Sequence, residues 1–257
     1  MKQSEIFIAF LTIIRREIRR FMRIWPQTLL PPAITMTLYF AIFGNLIGER
    51  IGKMGGFSYM EYIVPGLIMM SIITNSYSNV SSSFFSAKFQ HSIQELLVSP
   101  TPNWVVLMGY VLGGVARGLF VGLIVTLLSL FFTHLQVQNL FVTIIVVILT
   151  SVLFSLGGFV NAIFAKSFDD VSIVPTFILV PLTYLGGVFY SIDLLPDVWQ
   201  QLSLLNPVLY MVNAFRFGIL GVSDISVGWA MFIIMSFIVV LFSYSLYLLN
   251  RGQGIRN

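Results

Sequence analysis

Arg117 stands in the middle of GGVARGLFVG, a run otherwise suited to hydrocarbon. A guanidinium at bilayer depth is costly and has to face protein, water or a lipid phosphate. Two roles fit it: a buried partner for a helix carbonyl or carboxylate, or an attractor for an anionic or amphipathic substrate. Upstream, Ser71, Asn75, Ser78 and Ser82 recur at three- and four-residue spacing, so they share one helix face, with Asn79 beside it. A polar stripe of this kind lines an aqueous cavity or bonds two helices together. These six residues are the cavity-lining candidates. Gly113, Gly114, Gly118 and Gly122 permit a close helix contact next to Arg117.

Enzyme chemistry is thin. His91 and His134 are expected on opposite faces of the membrane and cannot share a metal. Asp169 and Asp170 are the one adjacent acidic pair. They sit at the start of an apolar run, where carboxylates satisfy free N–H groups and the helix dipole. No nucleophile–base–acid set is visible, there is no cysteine, and G-x-x-x-x-G-K-[ST] is absent, so no nucleotide binds through a P-loop. The expectation is a chain with no catalytic residue, no metal and no cofactor of its own.

The elements that hold these residues follow from composition. The chain of 257 residues is 57% apolar and 9% charged, far below the quarter of charged residues that a water-facing domain carries. It reads as an all-α integral membrane protein. A span needs roughly 20 apolar residues, and six runs qualify: Thr28–Gly48, Tyr62–Phe85, Trp104–Phe132, Leu140–Ala165, Val171–Tyr190 and Val227–Leu249. Lipid cannot satisfy an open sheet edge, so all are expected as helices. There is no repeat and no linker, so residues 1–257 read as one domain.

Ahead of the first run, Leu11, Ile14, Ile18, Phe21 and Trp25 form a stripe, and Arg15, Arg16, Arg19, Arg20 and Arg23 decorate the rest. Residues 1–26 therefore predict an amphipathic helix lying in the headgroup plane, held by anionic lipid. Six basic residues in this arm place the N-terminus in the cytoplasm. Lys88 and Lys166 in alternate loops, with Arg251 and Arg256 at the C-terminus, agree; Arg50 and Lys53 are a mild violation.

The C-terminus stays cytoplasmic only if residues 191–221 dip into the membrane and return. Pro196 follows a turn and Asp197 is placed to cap a short helix. Asn206-Pro207 breaks that helix, because the residue before proline avoids the α region. A second short helix follows over Val208–Leu220. Broken helices persist at membrane depth only against protein or water. This predicts an outer-face re-entrant pair acting as a gate, with Pro196, Trp199, Asn206, Pro207 and Arg216 as its candidates; a structural plug is the alternative. On the opposite face, SIQELLV within residues 88–102 is a short amphipathic helix ended by Pro100 and Pro102. Such a helix docks into the groove of a soluble partner or simply lies at the interface.

The segments FSYMEYIVPGLIMMSIITNSYSNV, QELLVSPTP, GGVARGLFVG, KSFDDVSIVPTFILVPLTYLGGVFYSIDLLP and LNPVLYMVNAFRFGILG, in this order and spacing, resemble the permease subunit of ABC-2-type ATP-binding-cassette exporters over essentially the full length. The resemblance implies a type V exporter-like fold: six transmembrane helices, an N-terminal connecting helix and an outer re-entrant pair. It implies a homodimer in a bacterial inner membrane, with two copies of a separate ATPase that hold ATP and magnesium, and no nucleic acid. It makes residues 88–102 the coupling-helix loop, with Ile93, Glu95, Leu96 and Leu97 as ATPase contacts. It implies export by alternating access, and a mainly apolar pathway with few charges suits a hydrophobic drug, a lipid or a lipid-linked glycan. An ion-coupled secondary transporter would need titratable groups near midplane, and only Arg117 is charged there; a non-transporting membrane scaffold would need neither stripe nor gate.

Overall fold

The structure is a computed structural model that describes residues 2–252 and 254, without the side chains of Asn45, Leu46, Glu49, Glu95 and Leu97. Arg256 lies outside the described residues. Among the described residues the fold is all-helical apart from one small hairpin.

The N-terminal arm is helix α1 (Gln3–Arg23), with Arg20 and Arg23 in its last turn, where cations suit the helix dipole. It stops three residues short of the expected boundary. Trp25–Thr28 is a separate turn, α2, with Pro26 in its first turn. Of the expected stripe, Phe21 is buried on the face of α1 that meets protein, together with Ile13 and Glu17. Leu11, Ile14 and Ile18 are half-buried and Trp25 is exposed. Hydrocarbon solvates apolar side chains as well as a core does, so in a membrane the apolar stripe does not mark the packed face.

The first expected span is divided. Helix α3 (Leu30–Tyr39) opens on two prolines, passes into a π-helical stretch over Phe40–Ile47, and ends in α4 (Gly48–Ile51). Gly52, at φ 79°, turns the chain into strands β1 (Lys53–Met54) and β2 (Phe57–Ser58), which pair Lys53 with Ser58 and Met54 with Phe57. Gly55 and Gly56 take positive φ at the tip, as a two-residue hairpin of this hand requires. The sequence reading had no strand here.

Helix α5 (Tyr59–Phe89) starts on a reciprocal cap between Ser58 and Glu61 and runs for 31 residues through Pro65, about 46 Å. A short helix α6 (Ser92–Val98) then turns the chain back into α7 (Asn103–Ser129) and α8 (Leu140–Phe164). These helices meet at glycines. A β-carbon on Gly114 would come within 2.9 Å of the Ser76 carbonyl, and one on Gly158 would overlap that of Tyr77. Gly109 and Gly113 make the same room for Ile13 and Glu17 of α1.

The fifth run is one rod built from α9 (Phe168–Val174), a π-helical turn over Pro175–Leu179 and α10 (Val180–Leu185). It ends five residues before the expected Tyr190, at Gly186 and a positive-φ Gly187. Only Leu179 and Thr183 are buried along it. After a 3-10 turn at Ile192–Leu194 come α11 (Asp197–Leu204), α12 (Pro207–Leu220) and α13 (Val227–Arg251).

Among the described residues, four segments are long and apolar enough to cross a membrane: 103–129, 140–164, 168–185 and 227–251. The pair α11–α12, bent by 89°, would make a fifth if it were a single span. The other two of the six expected spans fall short for identifiable reasons. The first is interrupted by prolines and helix breaks, and α5 is long but carries the polar stripe. The two ends of the bundle are distinct. One holds α1, α6 and the end of α13, where Asn103 donates to Asn250 at 2.7 Å. The other holds the hairpin, the α7–α8 loop and the bent pair, where the Asn139 and Gln138 amides donate to Gly218 and Ile219 carbonyls.

Candidate functional site

The two asparagines of the α5 stripe are engaged by cations from other helices. Asn75 is buried and accepts from Arg117 at 3.0 Å, and the same guanidinium donates to the Thr28 carbonyl at 3.5 Å. Asn79 is buried and takes Arg20 from α1 on both its side-chain and backbone oxygens, each at 2.9 Å. Ser71 is buried and bonds back to the Leu67 carbonyl. Ser78 and Ser82 are half-buried beside an exposed Thr74, so the open edge of the stripe runs along these three. Arg117 thus ties α7 to both α5 and α2 and meets an amide and a carbonyl, with no carboxylate in contact among the described residues.

Sequence reasoning missed the centre of this seam. Glu17 of α1 is 1% exposed, accepts the Ser83 hydroxyl, and faces Arg16 at 3.4 Å and Arg20 at 3.5 Å. Arg16 also donates to the Tyr110 hydroxyl at 2.6 Å. The signal available was a lone glutamate among five arginines on a membrane-facing helix, where a carboxylate does not stay unpaired.

At the hairpin end the bent pair is pinned from several sides. Pro196 is the N-cap residue of α11 and Asp197 its first helical residue, so Asp197 contributes charge near the dipole and makes no capping bond. Asn206 caps α12 by accepting from the Val208 amide at 3.0 Å, and its amide donates to the Leu182 carbonyl at 2.6 Å. Pro207 occupies the first turn of α12, where its missing N–H costs nothing. Arg216 is fully buried. Its guanidinium lies 4.0 Å above the Tyr62 ring of α5 and donates to the Gly187 carbonyl at 2.6 Å, while Nε and Nη1 have no partner among the described residues. Trp199 stands apart, half-exposed on α11. Asp224, unremarked in the sequence, accepts the Ile192 amide at 3.2 Å and has its own amide held by Asn213. A cavity of about 530 Å³ opens above this cluster, lined by Tyr62, Asp193, Asp224 and Lys53 among others.

At the opposite end α6 forms as expected. Ile93 is buried in the core beside Phe84, Tyr110 and Phe159, and Leu96 packs half-buried against it. The side chains of Glu95 and Leu97 lie outside the described residues. Val98, not singled out by sequence, is 87% exposed. Lys88 is held by the Ile163 and Ala165 carbonyls at the end of α8. The acidic pair is a cap: Asp170 accepts the Lys166 and Ser167 amides at 2.8 and 3.1 Å.

A family profile described as ABC-2 type transporter matches residues 8–220, from the connecting helix through the bent pair. The chain belongs to the ABC-2 type transporter family. Its members' membrane domain is a permease and not a catalyst, and it implies a partner ATPase subunit. The chain is similar to the inner membrane transport permease YadH of Escherichia coli K12, with 59% identity over 98% of both chains, and equally to its counterpart in Shigella flexneri. It is more distantly similar to nodulation protein J of Rhizobium leguminosarum bv. viciae, at 22% identity over 83% of each chain.

Proposed function

We propose that two copies of this chain pair in a bacterial inner membrane, each carrying one ATP-binding-cassette subunit, and export an amphipathic or hydrophobic substrate such as a drug, a lipid or a lipid-linked glycan. The observation that carries the reading is the 59% identity, over 98% of both chains, to an inner membrane transport permease. In this reading there are six spans: residues 30–51, α5, α7, α8, 168–185 and α13. The bent pair dips in from the outer face and returns. Both termini are then cytoplasmic, in line with the basic N-terminal arm.

Residues 88–102 hold the coupling helix. Ile93 anchors α6 to its own bundle, which leaves Leu96 and Val98 among the described side chains to meet the ATPase. ATP and magnesium act in the ATPase subunits; closure of that pair carries α6 toward the dimer axis. The geometry supplies a route for the motion. Helix α5 runs without a break from the turn before α6 to Tyr62, whose ring lies under Arg216 of α12. A displacement at the α6 end therefore reaches the bent pair through one rod. Arg216, with two nitrogens unpartnered against protein, is the part of the gate with most to gain from a rearrangement that brings it to Asp224 or Asp193. Ser78, Ser82 and Thr74 offer the open polar edge to the pathway, while Ser71, Asn75, Asn79 and Arg117 hold the helices that form it.

Leu96→Asp with Val98→Asp tests the docking. Loss of ATPase association with an intact permease dimer supports it; unchanged association and turnover refutes it.

A further inference from the structure

A second cavity, of about 880 Å³, lies where α1 passes the last two turns of α5. Arg15, Arg16, Arg19, Arg20 and Arg23 form one wall, and serines with Gln90 form the other. Glu17 is the one carboxylate in its lining, and it is already engaged by Ser83, Arg16 and Arg20. Five guanidinia against one carboxylate leave a formal excess of four positive charges around one concavity. Arg15, Arg19 and Arg23 make no hydrogen bond or ion pair to protein among the described residues. Arg15–Arg19, Arg16–Arg20 and Arg19–Arg23 are like-charge pairs four residues apart, an arrangement that destabilises a helix unless an anion lies between them. On the same helix Phe7, Ile8 and Met22 are exposed and apolar. The volume suits a small-molecule headgroup, and the fork of a guanidinium suits phosphate oxygens.

We propose that this cavity is a discrete binding site for the doubly charged phosphate of a lipid headgroup, a phosphomonoester or pyrophosphate, with the acyl chains lying along the apolar side of α1. This differs from a diffuse attraction of the arm to an anionic surface: it is one site per chain, it is saturable, and it prefers two charges on one phosphate to one. Through Arg20–Asn79 and Glu17–Ser83 the occupied site bears directly on α5. The proposal stands on the cavity and does not require the transport reading.

The test is binding of dioctanoyl phosphatidic acid to the purified full chain in phosphatidylcholine nanodiscs, counted by native mass spectrometry. One saturable molecule per chain is expected. Each basic residue near a phosphate contributes about 1 kcal/mol, or about fivefold, so R15Q/R19Q/R23Q weakens binding by about a hundredfold. These three side chains have no protein partners among the described residues, and their removal relieves like-charge pairs, so the variant unfolds at no lower a temperature. R50Q/K53Q/R251Q removes three positive charges elsewhere and leaves binding unchanged. Equal weakening by both triple variants, or uptake that never saturates, overturns the discrete site. Inorganic pyrophosphate binding as tightly as phosphatidic acid, and displacing it, overturns the lipid assignment in favour of a soluble phosphate.

Discussion

Two adjacent glycines of α8 give the packing argument a test with opposite signs. At Gly157 an added β-carbon would rest 3.7 Å from the Tyr77 ring, an ordinary van der Waals distance. At Gly158 it would overlap the Tyr77 carbonyl oxygen and come within 3.3 Å of the Ser81 amide nitrogen. Both positions are helical, so alanine gains about 1 kcal/mol of helix propensity at either. At Gly157 that gain is kept. At Gly158 it is set against about 1–3 kcal/mol of overpacking, at the upper end because backbone of α5 cannot rotate away. The net expectation is a gain of about 1 kcal/mol for Gly157→Ala and a loss of about 1–2 kcal/mol for Gly158→Ala. Thermal unfolding of the detergent-purified chain should rise by about 2–4 °C for the first and fall by about 3–6 °C for the second. A shift in the same direction for both would refute the close approach of α5 and α8 on which the bundle rests.

Asn206→Ala removes the α12 cap and the bond to Leu182, and should cost about 1–2 kcal/mol, read as a lower unfolding temperature; no change would mean that the bend is held by Pro207 alone. Arg117→Met and Asn75→Leu should each destabilise, and the double variant should lose less than the two losses together, because the pair is hydrogen-bonded; additive losses would separate them. The sidedness test uses single cysteines, which the cysteine-free chain allows. Ser203 and Val212 are buried and would be protected whichever face they occupy, so the informative sites are the exposed Leu205 and Val98. Leu205→Cys should react with an impermeant reagent from outside intact cells and Val98→Cys only after permeabilisation; the reverse pattern would invert the topology.

What the sequence disclosed was local. The break at Asn206-Pro207, the capping role of the acidic pair, the short helix between Lys88 and Pro100 and the four most apolar spans each follow from a few neighbouring residues, and each is present. The inward faces were not legible. Of the stripe Leu11–Ile14–Ile18–Phe21–Trp25 only Phe21 is buried, and α1 packs through it with Ile13 and Glu17, because lipid removes the contrast that makes a stripe informative in water. Contacts over long separations were not legible either. Glu17 meets Ser83 across 66 residues and Arg20 meets Asn79 across 59. Nothing near Tyr62 signals that Arg216 lies on its ring. The hairpin was within reach, since Gly55-Gly56 between short apolar flanks is a turn signal, but two-residue strands leave no alternation to read.

The most direct test of the account is co-purification of the chain in lipid with its cognate ATP-binding-cassette subunit, with the mass of the complex measured and vanadate-sensitive ATP hydrolysis assayed. The account predicts a complex of two permeases and two ATPases whose turnover falls on Leu96→Asp/Val98→Asp substitution. A permease that stays alone, or a complex whose turnover ignores α6, would contradict it.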